Sequence, residues 1–238
     1  LLRNWYITNT LKEKLNSEPS NILDAGFGDG QHLFWIKNNF PQHHFAGIDR
    51  SIDNVTFCNH ILNSNSCLLS NITDFSSEKK FEIITLLSVL QYVEDDKKAL
   101  KILLNSLSEN GCLIIYSPVN YKSSLPFYTK LFNRLSNYEK TQNNLRKYEY
   151  EQLVQMIKSL NGKITSTKHT MGFFGKLTQE YYSIYMAILA DLKWTFLQLL
   201  AFVVFLLPMI PLLLLFSLID FITTRERGNG VLFTVQKA

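Results

Sequence analysis

The chemistry-bearing residues are densest in Asp24-Ala25-Gly26-Phe27-Gly28-Asp29-Gly30, a D-x-G-x-G-x-G run. It follows the short apolar stretch Asn21–Ala25 and precedes a helical pattern from Gln31 to Asn39. Glycines at a strand-to-helix turn let the backbone approach a ligand and adopt positive φ. Nineteen residues after Gly30, Asp49 ends Gly47-Ile48-Asp49, where a carboxylate can accept ribose hydroxyls. Strand, loop, helix and second-strand carboxylate together call for an adenosine-containing cofactor. A dinucleotide would want G-x-G-x-x-G, with its pyrophosphate on the helix N-terminus. Here the spacing is G-x-G-x-G, and Asp24 and Asp29 would repel a pyrophosphate. They suit a ligand with an ammonium and a sulfonium, which points to S-adenosylmethionine.

The elements that must position this loop alternate along the chain. An amphipathic start (1–15) is followed by strands over 21–25, 44–49, 66–69, 81–87 and 112–116. Helices are expected over 31–39, 51–63 and 97–107, the last ended by an Asn110-Gly111 cap. Phe81–Leu87 is nearly continuous in apolar residues, as in a central parallel strand covered on both faces. A helix over 149–160 and strands over 163–169 and 231–235 complete the pattern. This rhythm predicts an α/β fold with a doubly wound, Rossmann-like sheet and ligands at the carboxyl ends of its strands.

At these motifs the sequence resembles the class I S-adenosylmethionine-dependent methyltransferases, best over 21–120. The resemblance implies seven strands, the last antiparallel beside the fifth and sixth. It implies that Asp24, Gly26 and Gly28 wrap the methionine part of the cofactor and that Asp49 binds the ribose. Asp74, in Asn71-Ile72-Thr73-Asp74-Phe75, matches the acidic residue that meets the adenine amino group. Ser88-Val89-Leu90-Gln91-Tyr92-Val93 looks like the motif after the fourth strand, often VLEHV, whose first residues pass beneath the sulfonium. Leu113–Pro118 resembles the fifth-strand motif. Phe27 replaces a usually small residue, and Gln91-Tyr92 replaces the frequent Glu-His pair. Tyr92 and Tyr121 are candidates for the substrate pocket. With His169, they are also candidate general bases, a role needed only if the acceptor must lose a proton early. No catalytic residue is assigned.

Composition narrows the classes further. With 24 basic and 20 acidic residues the net charge is +4, too mild to argue for nucleic acid. A basic stretch (Lys122, Lys130, Arg134, Lys140, Arg146 and Lys147 against Glu139) invites an anionic surface. Cys58, Cys67 and Cys112 lack CxxC spacing and read as small buried hydrophobes rather than a disulfide framework. No cluster has metal-ligand spacing, and no serine or cysteine nucleophile pattern appears. The His43-His44 pair is expected to be exposed. No signal-peptide pattern opens the sequence, which starts at Leu1 without Met.

Charged residues make up only 18% of the chain, and the deficit is local: Asp220 is the single charge among the 27 residues Phe196–Ile222. Ahead of this segment, apolar or aromatic residues at 181, 184, 185, 188, 189 and 192 form a helical stripe with interfacial tyrosines and Trp194. The segment lies between two strands of one sheet, so both of its ends must lie on one side of a bilayer. A hairpin bent at Pro208 and Pro211 satisfies this, flanked by Lys176 and Lys193 before and Arg225 and Arg227 after. The expected organisation is a cofactor domain over 1–170, an interfacial helix and membrane hairpin over 171–228, and a final strand over 229–238. The expected activity is methyl transfer to a lipid or other membrane-held small molecule, on the cytoplasmic face, with 181–222 on the membrane. The alternatives are a soluble metabolite, with the insert as anchor or dimer interface, and a non-catalytic cofactor-binding membrane module.

Overall fold

In a computed structural model the described residues are 2–15, 18–126, 128, 145–223 and 228–238. Seven strands form one sheet in the order β3-β2-β1-β4-β5-β7-β6. They are β1 (Asn21–Ala25), β2 (His44–Asp49), β3 (Cys67–Leu69), β4 (Phe81–Leu87), β5 (Leu107–Pro118), β6 (Gly162–Thr170) and β7 (Gly230–Lys237). β1 pairs in parallel with β2 and β4, β2 with β3, and β4 with β5. β7 runs antiparallel to its neighbours. Near its start Asn229 O accepts the Val119 N–H at the end of β5, and at its end the Ala238 N–H reaches Asn161 O before β6. The doubly wound sheet expected from the alternation is therefore present, with the antiparallel last strand that the family resemblance implies.

Four helices, α1 (Leu2–Lys14), α2 (Gln31–Asn39), α3 (Ile52–Leu62) and α4 (Asp96–Asn105), connect or flank the parallel strands, and α5 (Tyr150–Ser159) precedes β6. Their starts follow local chemistry. The Ser51 and Asp95 side chains accept the Asn54 and Lys98 N–H groups, and Glu149 with Gln152 forms a capping box. Ile7, Leu11, Ile22, Ile36, Ile83 and Ile114 pack as one core, and Phe27, Leu33, Val55, Cys58, Leu62 and Cys67 as a second.

Asn110-Gly111 does not cap α4, contrary to the sequence expectation. The helix ends earlier, where the Ser106 N–H and hydroxyl both return to Ile102 O. Gly111 lies in β5 beside a register shift opposite Phe81–Ile83. A Cβ there would meet Phe81 O at 2.6 Å. His43 is buried rather than exposed, its Nδ1 accepting the Ser20 N–H at 3.1 Å. The three cysteines are buried free thiols, as read from their spacing, with the Cys58 and Cys67 sulfurs 3.0 Å apart.

The chain divides into two compact units. One holds 4–118, 145–168 and 231–238; the other holds 1–3 and 169–230 with the described part of 119–144. The second unit is organised by two apolar helices. α6 (Phe173–Asp191) is followed by the turn Leu192–Trp194 and by α7, which runs continuously over the 28 residues Thr195–Ile222. The two helices are antiparallel. Tyr181 Oη donates to Phe205 O, and Phe174 meets Phe216 near the other end.

A helical hairpin is thus present, but its bend is at Leu192–Trp194 and not at Pro208 and Pro211. Around the prolines the ladder shifts instead of breaking. The Leu207 N–H reaches back five residues to Phe202 O, and the Ile210 N–H three residues to Leu207 O. The Ile210 N–H thereby serves the Leu207 carbonyl that Pro211, lacking an N–H, leaves open. Arg225 and Arg227, the expected basic flank, lie outside the described residues, as do Lys130, Arg134 and Lys140 of the basic stretch.

The lone charge of the apolar segment has a structural task. The N-terminus of α6 has no side-chain cap of its own, since its N-cap is Gly172. Asp220, 1% exposed, supplies one from α7, its Oδ1 accepting the Gly175 N–H at 3.0 Å. Position 175 must be small, because a Cβ would lie 2.6 Å from Asp220 Oδ2. A carboxylate there satisfies an orphan N–H and opposes the positive end of the helix. Asp220→Ala is expected to lose about 1–3 kcal/mol of hairpin stability. Amide exchange over Phe173–Lys176 reads this directly, and unchanged protection would refute it.

Candidate active site

The loop after β1 is shaped by contacts at both of its first glycines. The Gly26 N–H donates to Ile48 O at 2.7 Å, φ is +77°, and a Cβ would lie 2.6 Å from the Val89 side chain. Only glycine combines that conformation with that approach. At Gly28, φ is +59° and a Cβ would meet nothing within 4 Å, so the backbone there faces open space.

Asp24 and Thr85 stand opposite each other in the β1–β4 register. The Thr85 hydroxyl donates to Asp24 Oδ1 at 2.8 Å, while Oδ2 is buried without a hydrogen-bond partner. Burial, partly countered by Thr85 and reinforced by Asp49 and Asp29, pushes the Asp24 carboxyl up to about 7. Thr85 escaped sequence reasoning; its only signal was a hydroxyl in the middle of an otherwise apolar strand.

Asp49 is held by three donors. Its Oδ2 accepts the Gly28 N–H at 3.0 Å, and its Oδ1 accepts the Ser51 N–H at 2.9 Å and Asn54 Nδ2 at 3.2 Å. A carboxylate offers about four lone-pair sites, so capacity for one further donor remains, on Oδ2. The same side chain therefore fixes the glycine loop and presents an acceptor. Asp49→Ala is expected to weaken cofactor binding by about 10- to 100-fold, through lost loop order and a lost acceptor. Calorimetric titration checks it, and unchanged affinity would remove Asp49 from the site.

After β4, Ser88 adopts φ +60°, uncommon for a residue with a side chain. Its N–H donates to Tyr116 O at 2.8 Å, and its carbonyl accepts Gln91 Nε2 at 3.0 Å, which holds the strained turn. Gln91 is 4% exposed and its Oε1 has no partner. A 3₁₀ turn, Leu90–Tyr92, continues the segment and leaves Tyr92 half-buried. The chain returning at 145–148 is fastened to this motif. The Leu145 N–H bonds Gln91 O, while Arg146 Nη1 and Tyr148 Oη meet Asp96 Oδ2 at 2.6 and 2.7 Å. Arg146, counted in the basic stretch, is committed to this internal pair.

The structure does not hydrogen-bond Asp74 to the other acidic site residues. It ends the turn Ile72–Asp74 with its side chain exposed, 3.9 Å from Lys98 Nζ. The Asx turn there belongs to Asn71, whose Oδ1 accepts the Thr73 N–H. Tyr121 belongs to the hairpin unit, where burial raises its phenol and Lys176 Nζ stands 5.7 Å from its ring centre. His169 is half-buried near the end of β6. Among the described residues no group of His, Cys, Asp and Glu could hold a metal ion.

An unpartnered buried carboxylate oxygen beside an open, glycine-lined backbone fits a cationic amino-acid moiety followed by a nucleoside. The family described as Methyltransferase domain matches residues 16–186. The chain belongs to the class I S-adenosylmethionine-dependent methyltransferases.

It resembles trans-aconitate 2-methyltransferase of Rhodopseudomonas palustris, 26% identical over 102 residues, which are 43% of this chain and 40% of the relative. The chain thus matches only about two-fifths of that curated relative's length. Among solved structures, mycolic acid cyclopropane synthase CmaA1 with SAH and CTAB superposes with TM-score 0.64. That likeness is 13% identical and covers 98% of this chain and 84% of the other. The plantazolicin methyltransferase BamL, with SAH and a desmethylPZN analog, superposes with TM-score 0.62. It is 18% identical, covering 99% of this chain and 85% of the other. The family match supports methyl transfer as the activity, and the superposed folds carry SAH in both of these solved structures.

S-adenosylmethionine supplies an electrophilic methyl group on a sulfonium. Were it bound at this loop, Asp24 would offer its unpartnered oxygen to the ammonium, Asp49 its remaining acceptor site to the ribose, and Gly26–Gly28 a backbone that lets it approach. Displacement at such a methyl needs alignment and exclusion of water more than acid–base help.

Proposed function

We propose that the methyltransferase methylates a lipid or other small molecule held at a membrane, and that the α6–α7 hairpin carries the enzyme there from the cytoplasmic side. The observation behind this reading is α7, a helix of 28 residues holding an 18-residue stretch of mean hydropathy 2.9, of which 11% is buried. Its length of about 42 Å exceeds the hydrocarbon core of a bilayer. Both helices return to one sheet, through β6 and β7, which keeps the two ends of the hairpin on one side.

The curated likeness to trans-aconitate methyltransferases favours a second reading, a soluble acid as acceptor with the hairpin as anchor. Incubating membranes and cytosol with labelled S-adenosylmethionine separates the two. The label is expected in organic-extractable product; label confined to water-soluble acids would replace the first reading by the second.

A further inference from the structure

Cys58 of α3 and Cys67 of β3 are nine residues apart in the chain, and their sulfurs stand 3.0 Å apart. Both are buried free thiols, packed with Phe27, Leu33, Val55 and Leu62. Groups other than the thiols hold them together. Asn59, next to Cys58, grips the Cys67 backbone twice: its Oδ1 accepts the Cys67 N–H and its Nδ2 donates to Cys67 O, each at 2.9 Å. The Ser64 N–H returns to Asn59 O at 3.1 Å, which ties down the connection from helix to strand. A disulfide bond is about 2.0 Å long, so each sulfur has only about 0.5 Å to move. Cys112 packs in the other core cluster. The pair, Asn59 and the cofactor loop all belong to the unit that holds 4–118.

We propose that Cys58 and Cys67 are a reversible oxidation site, closing as a disulfide that fastens the edge strand to α3, and that bound S-adenosylmethionine shields it. The pair does not depend on which acceptor is methylated. β3 has three residues and ends the sheet beside β2, with Leu68 and Leu69 exposed. So short an edge opens at low local cost and admits a small oxidant. Burial raises both thiols; the Cys58 contact and the Ser66 side chain oppose the rise at Cys67, whereas the Cys67 contact adds to it at Cys58. Cys67 therefore ionises first once the edge opens. With a small disulfide such as glutathione disulfide as oxidant, the Cys67 thiolate attacks one of its sulfurs and expels one thiolate. Cys58 gives its proton to that thiolate, attacks the Cys67 sulfur and expels the second thiolate, which takes up the proton Cys67 lost. The protein gives up two electrons and two protons, and one small disulfide becomes two thiols.

Two contacts link the pair to the cofactor loop. A Cβ at Gly30 would lie 2.5 Å from Cys58 Sγ, so the sulfur backs the loop directly. The Ser70 N–H, just past β3, donates to Asp49 O at 2.9 Å, and the Asp49 carboxylate holds Gly28, Ser51 and Asn54. A ligand that needs Asp49 and the loop in place binds the closed edge and lowers the open population.

The test exposes the full chain in phosphatidylcholine vesicles to glutathione disulfide, quenches it with N-ethylmaleimide in denaturant and digests it without reduction. A peptide joining Cys58 to Cys67 is expected, with Cys112 recovered as the thiol, and dithiothreitol should reverse the link. Amide exchange over Cys67–Leu69 should slow about tenfold in the oxidised protein. S-adenosylmethionine at about 100 times its Kd should slow formation of the link by about tenfold or more. Cys58→Ser should lose both the linked peptide and the change in exchange. Two unlinked thiols recovered from the folded wild type overturn the pair, as does glutathione left on Cys67 as the end product. A link that forms equally fast with the cofactor bound, as shown by calorimetry, overturns the shielding.

Discussion

Asp24→Asn is expected to weaken S-adenosylmethionine binding by about 10- to 100-fold, the worth of one charge-assisted hydrogen bond in a dry site. Asp24 is 1% exposed; Thr85 occupies one carboxylate oxygen and the other has no partner within the protein. An ammonium placed there gains a full charge partner, whereas an asparagine offers only a dipole. The pH dependence follows from burial, which with the neighbouring Asp49 and Asp29 lifts the carboxyl from 3.8 to about 7 against the opposing Thr85 bond. Below that value the carboxyl is protonated and must release its proton before it can pair. Wild-type affinity should therefore fall about tenfold per unit as pH drops below 7 and level off above it, while the asparagine variant shows no such slope.

The stability of the cofactor-free protein runs the other way. The group's folded value is raised, so its contribution is fully present below 3.8 and lost as pH rises through about 7. At pH 8 the variant, spared a buried charge, should melt at or above the wild type, and the difference should close toward pH 4. Calorimetric titration and melting between pH 5 and 8 check both signs. A variant that binds within threefold of wild type, with the wild-type slope, would show that Asp24 does not meet the ammonium.

The parts of this site that were legible in the sequence are local. β1, β2 and β4 fall over the residues expected of them, because apolar runs bounded by glycine, proline and polar turns are set by near neighbours. Asp24, Gly26, Gly28 and Asp49 gather at one loop, since a strand-loop-helix unit and the adjacent strand bring them together by short connections. Thr85 was not legible, because its pairing with Asp24 spans 61 residues and depends on which strand lies beside β1. The hairpin bend was misplaced for a related reason. Pro208 and Pro211 are local helix breakers, whereas Leu192-Lys193-Trp194 contains no turn-forming residue. The deciding contacts, Gly175 with Asp220 and Tyr181 with Phe205, cross between helices. Asp220 itself read as an anomaly, and only the partner helix explains it.

Replacing Leu199, Val204 and Leu215 together by lysine is expected to release the methyltransferase from membranes. The face of α7 turned inward includes Ala201 and Asp220, with Leu206, Ile210, Leu213 and Phe216 half-buried, and most of the rest of the helix is apolar and exposed. Trp194 and Phe196 are 72% and 73% exposed, and Leu199, Val203, Val204, Phe205 and Leu207 follow around the helix. A docking protein covers one face of a helix, and a helix lying in the headgroup plane keeps a polar face toward water. Apolar residues on several uncovered sides are the pattern that supports the proposed immersion in a bilayer.

Each lysine would cost about 2.5–3.5 kcal/mol at bilayer depth, yet little in water, where these positions have no packing to lose. Flotation with phosphatidylcholine vesicles reads the difference. Wild type should float, and the triple variant should stay in the dense fraction with unchanged S-adenosylmethionine binding, which shows that the cofactor domain is intact. A variant that still floats would refute immersion of α7. A wild type that stays in the dense fraction as a discrete dimer would reassign its apolar surface to a second copy of the chain. With the wild type afloat, protease added outside sealed vesicles should reach the sheet domain and not the turn at Leu192–Trp194. The chain enters and leaves the hairpin through β6 and β7, neighbouring strands of one sheet, so the proposed immersion takes α6 in and α7 back on the same side.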